Sequence, residues 1–376
     1  MLATHTLFYG FAAIGAKQVA MMVIGLVLIA LAIRKQYEPM LLLPIGFGAI
    51  LANIPASAAV GPQGFLTVLY NFGIEHELFP ILIFIGVGAM IDFSPLLSQP
   101  VTLFFGAAAQ LGIFMAMLLA VLANYIVPGV FDLREAAAIG IIGAADGPTS
   151  IYVGRIFAPK YLAPITVAAY SYMALVPIIQ PPVIRLLTSR RERCIRMQPV
   201  AGLKISRRSR ILFPIIVTIV SGLVSPEGTA LIGSLMFGNL IRECGVLERL
   251  SNSAQNELAN LVTLVLGITI GATMRADSFL TKETALILGI GLLAFVFDTA
   301  GGVLAAKFAN LFLRTKINPM IGACGISAFP MSARVIQKMA LEEDDQNFIL
   351  MPAVGANVAG QIGSIIAGAM LLRMLS

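Results

Sequence analysis

The stretch IIGAADGPTSIY, residues 141–152, places one aspartate, Asp146, among glycines, alanines and isoleucines. No lysine or arginine lies within eight residues of it in sequence. A carboxylate at the centre of a bilayer costs about 2.5–3.5 kcal/mol on insertion scales, so it needs a partner, a proton or a bound cation. Gly147 and Pro148 follow directly and predict a helix break, which leaves carbonyl groups free. The stretch therefore predicts a helix that is broken inside a membrane.

The composition of the whole chain agrees with a membrane location. Of the 376 residues, 58% are hydrophobic and only 12% are charged, whereas a soluble domain averages about 45–50% and about 25%. The mean hydropathy is +0.92. We therefore expect an all-α polytopic membrane protein with roughly ten spans of about 20 residues each.

Apolar stretches, uncharged except for Asp298 and Lys307, predict where the spans lie. They cover residues 18–33, 39–54, 78–91, 93–131, 161–184, 211–224, 228–241, 258–274, 284–308 and 347–372. The stretch 93–131 is long enough for more than one element. Several others are shorter than a straight span and contain glycine or proline. They indicate half-helices, which are tolerated in a membrane only where protein or a water-filled cavity covers the backbone.

Positive charge is concentrated in residues 185–210. Nine basic residues lie there: Arg185, Arg190, Arg191, Arg193, Arg196, Lys204, Arg207, Arg208 and Arg210. With Glu192 the segment carries +8, although the whole chain carries only +6. The positive-inside rule predicts a cytoplasmic loop, and contact with anionic membrane lipid or an acidic partner stays open. Binding to nucleic acid is not expected, because no aromatic residues interleave the charges.

Two parts of the chain resemble each other. FIGVGAMIDFSPLLSQPVTLFFG (84–106) is similar to VLGITIGATMRADSFLTKETALILG (265–289), and each is followed by Ile-Gly-Ala and a helix-breaking cluster. Matched broken segments in two halves indicate a transporter binding site. The predicted division is N-terminal spans (1–78), a first repeat half (79–187), the basic loop with linking spans (188–257), and a second repeat half (258–376).

The residues around the two breaks offer oxygen ligands. Asp146 with free carbonyls and the hydroxyls of Thr149 and Ser150 suits a hard monovalent cation. Asp146 could also cap the next half-helix, and the two roles can coexist. Ser327, Asn318 and Asn357 supply neutral oxygens near the second break, or they bond neighbouring helices.

Three further polar residues stand in apolar surroundings. Tyr172 is either a proton donor or a partner in an interhelical hydrogen bond. Arg334 is either an interfacial anchor or a bidentate holder of a carboxylate. Asp298 is an acid with no evident partner.

Motifs of soluble enzymes are missing from the sequence. It has no Walker A loop, no G-x-S-x-G and no HExxH. Its two histidines and three cysteines do not form a zinc pattern. Energy for transport must then come from an ion gradient or from the chemistry of a partner.

Five motifs together carry a family resemblance. They are MIDFSPLLSQP, GAADGPTSIY, LMFGNLIRECGV, INPMIGACGISAFPMSARV and LMPAVGANVAGQIGS. From about residue 80 to the C-terminus the chain resembles the β subunit of the sodium-pumping biotin-dependent decarboxylases. That family serves oxaloacetate, methylmalonyl-CoA, glutaconyl-CoA and malonate decarboxylases.

The resemblance implies a function and partners. In the family, a carboxyltransferase moves CO2 onto biotin, and the β subunit decarboxylates carboxybiotin, exports sodium and consumes one proton from outside. It implies an elevator-type fold with inverted repeats, a biotinyl carrier, a small membrane γ/δ-type subunit and a homotrimer. A secondary sodium-coupled transporter without decarboxylase activity is the alternative.

The resemblance also implies residue roles. It implies sodium binding by Asp146, Asn318 and Ser327, with Asn357 as a further asparagine. A proton-path or sodium role falls on Tyr172, and a carboxybiotin or proton-path role falls on Arg334. The chain departs from the family at Asp298, where members tend to carry a small uncharged residue.

Overall fold

The computed structural model describes residues 9–36, 39–197 and 205–376, and these contain helices but no strand. Lys204, one of the nine basic residues, lies outside the described residues. The α-helices in chain order are α1 (Tyr9–Ala13), α2 (Ala16–Lys35), α3 (Pro39–Asn53), α4 (Phe65–Leu69), α5 (Leu78–Met90), α6 (Ser94–Ser98), α7 (Thr102–Ala109), α8 (Leu111–Ala123), α9 (Leu133–Gly140), α10 (Gly147–Phe157), α11 (Leu162–Leu187), α12 (Arg190–Arg193), α13 (Arg207–Val224), α14 (Thr229–Glu243), α15 (Glu248–Ser253), α16 (Ala259–Thr273), α17 (Ala276–Phe279), α18 (Lys282–Phe312), α19 (Met331–Glu343) and α20 (Leu350–Leu375).

The helices confirm a polytopic membrane protein. Among the described residues, five helices are long and apolar enough to cross a membrane, or up to seven if each of two bent pairs forms one span. One bend, of 66°, lies within α11 just before Pro177, whose ring removes a helical hydrogen bond. The stretch 93–131 does hold several elements, namely α6, α7 and α8.

The same order of elements occurs twice. The series α2, α3, α5, α6, α7–α8, α9–α10 and α11 is followed by α13, α14, α16, α17, α18, a 3-10 helix with α19, and α20. Helices at equivalent places in the two series make equivalent contacts, and each contact joins one series to the other. Thus α3 packs on α16 as α14 packs on α5, and α11 packs on α18 as α20 packs on α7. The two series are thus intertwined rather than placed side by side.

Each series contains a hairpin that enters the protein and turns back. Hairpin A (130–161) has both ends at one face, since Lys160 Nζ lies 2.7 Å from Glu135 Oε1 and the Tyr161 hydroxyl donates to Val130 O at 3.3 Å. Hairpin B (313–349) also has both ends together. The side-chain amides of Asn318 and Asn347 both donate to Arg193 O, at 2.7 and 2.9 Å.

The two hairpins enter from opposite faces. Helix α11 begins beside the ends of hairpin A and runs to the residues that hold the ends of hairpin B. We call the face at the ends of hairpin B the basic face, because Arg190, Arg193 and Arg196 form ion pairs there. The hairpin tips meet between the faces, where the backbone N–H of Ser327 donates to Ala144 O at 3.0 Å.

Packing divides the helices into two groups. The core group comprises α7 to α11, α18, α19 and α20, and so includes both hairpins. The frame group comprises α2, α3, α5, α13, α14 and α16, which pack mainly on one another. The hairpin tips are therefore positioned by the core group and covered on one side by the frame group.

Candidate functional site at the hairpin tips

The tip of hairpin A is shaped by local sequence signals. Helix α9 begins with a capping box, in which Asp132 Oδ1 accepts the Glu135 N–H at 2.7 Å and Glu135 Oε2 accepts the Asp132 N–H at 2.9 Å. The helix tightens into a 3-10 turn over Ile141–Ala144. Ala145 then adopts a left-handed conformation with φ of 51°. Pro148 starts α10 rather than ending α9, since proline is tolerated in the first helical turn.

Asp146 is the N-cap of α10 and is 2% exposed. Its Oδ2 atom has three polar neighbours: Thr149 Oγ1 at 2.8 Å, Ser364 Oγ at 2.7 Å and Gln361 Nε2 at 3.2 Å. Its Oδ1 atom accepts only the Thr149 N–H, at 3.3 Å. No basic side chain forms an ion pair with Asp146 among the described residues. The capping role is confirmed, and one carboxylate oxygen remains nearly free.

A cavity of about 210 Å³ opens beside this carboxylate. The hairpin tips and α20 contribute Asp146, Ser327 and Gln361 to its wall, and α11 contributes Tyr170. On the other side it is lined by residues of α3, α5 and α16 in the frame group. The cavity therefore lies at the boundary between core and frame, with Asp146 as the only charged residue in its lining.

Ser327 and Asn357 belong to the same junction. The Ser327 hydroxyl donates to Gly360 O at 3.0 Å, and Asn357 Nδ2 donates to Ile326 O at 2.6 Å. Asn357 is fully buried, and its Oδ1 atom has no hydrogen-bond partner among the described residues. The structure thus brings together three of the predicted residues: Asp146, Ser327 and Asn357.

Gln361 and Ser364 also contact Asp146, although sequence analysis did not select them. With Asn357 they follow a spacing of four and three residues along α20, which places all three on one helix face. That face is polar within a largely apolar helix. The spacing is a signal that could have found both residues.

Asn318 lies elsewhere. Its Nδ2 atom donates to Arg193 O and Ile195 O at 2.7 and 3.0 Å, and its Oδ1 atom accepts the Met320 N–H at 3.1 Å. The 3-10 helix Pro319–Gly325 separates it from the tip. Asn318 therefore anchors the base of hairpin B at the basic face.

Ion pairs strengthen this same base. Arg193 Nε lies 2.7 Å from Glu343 Oε1, and Arg196 Nε lies 2.6 Å from Asp344 Oδ2. The hydrogen bond from Arg196 lowers the pKa of Asp344. The basic segment is thus partly neutralised by acidic residues at the C-terminal end of α19.

Tyr172 and Arg334 do not touch Asp146. The Tyr172 hydroxyl donates to Leu288 O on α18, which is the interhelical bond that sequence analysis gave as one alternative. Arg334 is exposed, one turn into α19, and it joins none of the ion pairs found among the described residues. It stands between the hairpin tip and the basic face.

Asp298 has a partner that the sequence could not reveal. It is fully buried in α18, and its Oδ1 atom accepts the Gly112 N–H at 2.6 Å, at the start of α8. Its Oδ2 atom has no partner among the described residues. Nearby, Gln110 Nε2 donates to Gly106 O and Gly325 O at 2.8 and 3.3 Å. Asp298 therefore caps α8, and Gln110, the residue just before that helix, contacts hairpin B.

The donor set at the tips favours a monovalent cation. It contains one carboxylate and several neutral oxygens, and no group of three histidine, cysteine or acidic side chains lies together within the described part of the chain. Divalent transition metals generally bind clusters of imidazole, thiolate or carboxylate ligands. One negative charge balances one sodium ion.

Known proteins match this chain over nearly its whole length. Residues 17–375 match the family model described as "Na+-transporting oxaloacetate decarboxylase beta subunit". The glutaconyl-CoA decarboxylase subunit beta of Acidaminococcus fermentans is 49% identical over 97% of this chain and 95% of its own length. The methylmalonyl-CoA decarboxylase subunit beta of Propionigenium modestum is 46% identical over 97% and 96%. The oxaloacetate decarboxylase beta chain of Klebsiella pneumoniae is 46% identical over 96% and 95%.

Proposed function

The chain belongs to the β-subunit family of the Na+-transporting decarboxylases, a decarboxylase component of the cytoplasmic membrane, and we propose that it couples carboxybiotin decarboxylation to sodium export at Asp146. As a β subunit it works within a multi-subunit complex. The proposed partners are a biotinyl carrier, a carboxyltransferase and a small membrane γ/δ-type subunit. Following the family, we extend the proposal to a homotrimer.

The observation that carries the proposal is the unequal environment of the two Asp146 oxygens. Oδ2 is held by Thr149, Ser364 and Gln361, whereas Oδ1 has one long hydrogen bond beside the cavity. A buried carboxylate without a basic partner is costly. A sodium ion at Oδ1 neutralises it. We assign Ser327 and the unpartnered oxygen of Asn357 as neutral ligands, and leave Asn318 outside the ion site.

Carboxybiotin would reach the protein from the basic face. The positive-inside rule makes that face cytoplasmic, which is also where a soluble carboxyltransferase would work. Arg334 stands exposed on the side of the tip toward that face, and its guanidinium suits a bidentate contact with a carboxylate. When carboxybiotin loses CO2, the N–C bond breaks and the ureido nitrogen takes up a proton.

Transport requires that the ion site face each side in turn. The cavity beside Asp146 is lined by the core group on one side and by the frame group on the other. Movement of the core group against the frame group would carry the site between faces, as in an elevator-type transporter. The hairpins enter from opposite faces, so each tip can seal one of them.

The test uses the purified chain with a carboxylated biotinyl carrier, and measures loss of the carboxyl group against sodium, with potassium as the control ion. The variant Asp146→Asn should lose sodium-dependent decarboxylation, because it removes the charge that sodium neutralises. Asp277→Asn is the matched control, since Asp277 is exposed on α17. Sodium-dependent decarboxylation at the normal rate in Asp146→Asn would overturn the ion site. Absence of decarboxylation in any salt by folded wild type would favour a plain sodium-coupled carrier.

A further inference from the structure

We propose that the hydroxyl oxygen of Tyr170 is a ligand of the sodium ion at Asp146 and helps to set the affinity of the site. This inference rests on the proposed function. Sequence analysis selected Tyr172 instead, two residues further along α11.

The Tyr170 hydroxyl is an unpaired buried polar group. The residue is 3% exposed, and its hydroxyl oxygen has no hydrogen-bond partner among the described residues. Buried tyrosine hydroxyls normally find a partner, and a missing one requires an explanation. A ligand that is present during turnover would provide that partner.

The location of the ring points to the ion site. A Cβ atom on Gly147 would collide with Cζ of Tyr170, the ring carbon that bears the hydroxyl. The end of the tyrosine therefore lies against the residue that follows Asp146. Tyr170, Gly147 and Asp146 line the same cavity, together with Ser327. The absence of a side chain at Gly147 leaves room for the tyrosine ring next to Asp146.

The two tyrosines of α11 face different neighbours. Residues two apart on a helix point about 200° from each other. The Tyr172 hydroxyl donates to Leu288 O on α18, and Tyr172 is not among the residues that line the cavity. The Tyr170 hydroxyl has no hydrogen-bond partner among the described residues, and Tyr170 lines the cavity that Asp146 also lines.

The phenol suits the role chemically. Sodium is a hard cation that prefers oxygen ligands, and a neutral hydroxyl leaves the balance of one carboxylate and one sodium ion unchanged. The rest of the ring is enclosed by α10 and α11, which holds the oxygen at a fixed position. A fixed oxygen favours one ion size over others.

The experiment compares Tyr170→Phe with wild type, and Tyr152→Phe serves as the matched control. Tyr152 is also a buried tyrosine, but its hydroxyl donates to Glu227 O at 3.2 Å, away from the cavity. Thermal stability of the purified chain is measured across sodium concentrations, with potassium replacing sodium at constant ionic strength. Stabilisation by sodium reports its binding independently of decarboxylation.

We expect Tyr170→Phe to raise the half-saturating sodium concentration about tenfold, equivalent to about 1.4 kcal/mol. Without sodium the variant should be as stable as wild type, because the lost hydroxyl had no partner. Tyr152→Phe should keep the wild-type sodium curve. An unchanged curve in folded Tyr170→Phe would overturn the inference while Asp146→Asn still tests the ion site. If wild type itself shows no stabilisation by sodium, both the inference and the proposed ion site fail.

Discussion

Asp146 was predicted to cap a helix and to offer an oxygen ligand, and its position is compatible with both roles. It caps α10, and it presents an oxygen to a cavity. The cap holds the carboxylate at a fixed angle, so the proposed ion site would be pre-organised. The residue type and its isolation from basic neighbours were enough to select it from sequence. Its helpers on α20 lie more than two hundred positions away, and local patterns do not reveal such a contact.

Ser364 tests the contribution of the side chains that hold Asp146 Oδ2. The variant Ser364→Ala removes the hydroxyl that lies 2.7 Å from Asp146 Oδ2. Hydrogen bonds to charged groups contribute about 1.5–3 kcal/mol. Since Thr149 and Gln361 remain, we expect a smaller loss of about 1 kcal/mol, or roughly a fivefold weaker sodium affinity. Sodium-dependent thermal stabilisation measures it.

The control for Ser364→Ala is Ser234→Ala. The Ser234 hydroxyl bonds only the Ala230 carbonyl one turn back on the exposed side of α14. That variant should keep the sodium affinity of wild type. Equal effects of the two substitutions would contradict a specific role for Ser364.

At the scale of elements, the broken helices were predictable but their path was not. The clusters around Gly147 and around Ser327 predict breaks. Whether a broken helix crosses the membrane or returns to the same face depends on distant contacts, such as that between Lys160 and Glu135. Asn318 is a second example. It lies in a motif that resembles the family, but its side chain bonds the backbone at the base of hairpin B.

The two series contain a matched pair of buried asparagines, Asn53 on α3 and Asn239 on α14. Asn53 Nδ2 donates to Met274 O at 2.7 Å and its Oδ1 accepts the Ala276 N–H at 2.8 Å, beyond the end of α16. Asn239 Nδ2 donates to Ile91 O at 2.8 Å, beyond the end of α5, but its Oδ1 has no hydrogen-bond partner within the described part of the chain. The two asparagines thus occupy equivalent places in the two series.

We expect Asn53→Ala to destabilise the protein more than Asn239→Ala, by about 1 kcal/mol, because it also leaves the Ala276 N–H without an acceptor. Thermal or detergent-induced unfolding of both variants, in parallel with wild type, measures the difference. An equal or larger loss for Asn239→Ala would contradict the contribution of the Ala276 hydrogen bond to stability.

At the scale of the whole molecule, composition predicted the membrane class, and the paired motifs predicted duplication. The division into core and frame could not be predicted, because all the spans are similarly apolar and their pairing is set by close packing. Gly48 faces the Ile268 carbonyl, and Gly88 faces the Leu235 carbonyl. Such approaches join α3 to α16 and α5 to α14, which are far apart in sequence.

The proposed motion of core against frame can be blocked. Val87 on α5 and Met173 on α11 line the same cavity from the two groups. Cysteines at both positions, joined by a short thiol-reactive linker in a chain without its three native cysteines, should abolish sodium transport. Reduction of a cleavable linker should restore it. Each single-cysteine variant treated in the same way is the control, and full transport by the linked protein would argue against relative movement.

Asp146 is the only charged residue in the cavity lining, and this has an electrical consequence. In the proposed cycle, the site with sodium bound would be neutral, and the membrane potential would do no work on it as it crosses. Once sodium leaves on the outer side, the bare carboxylate carries one negative charge. A potential of 100 mV, negative inside, opposes its return by about 2.3 kcal/mol. A proton taken up from outside would cancel that charge, so the return step of the proposed cycle would be electrically silent as well.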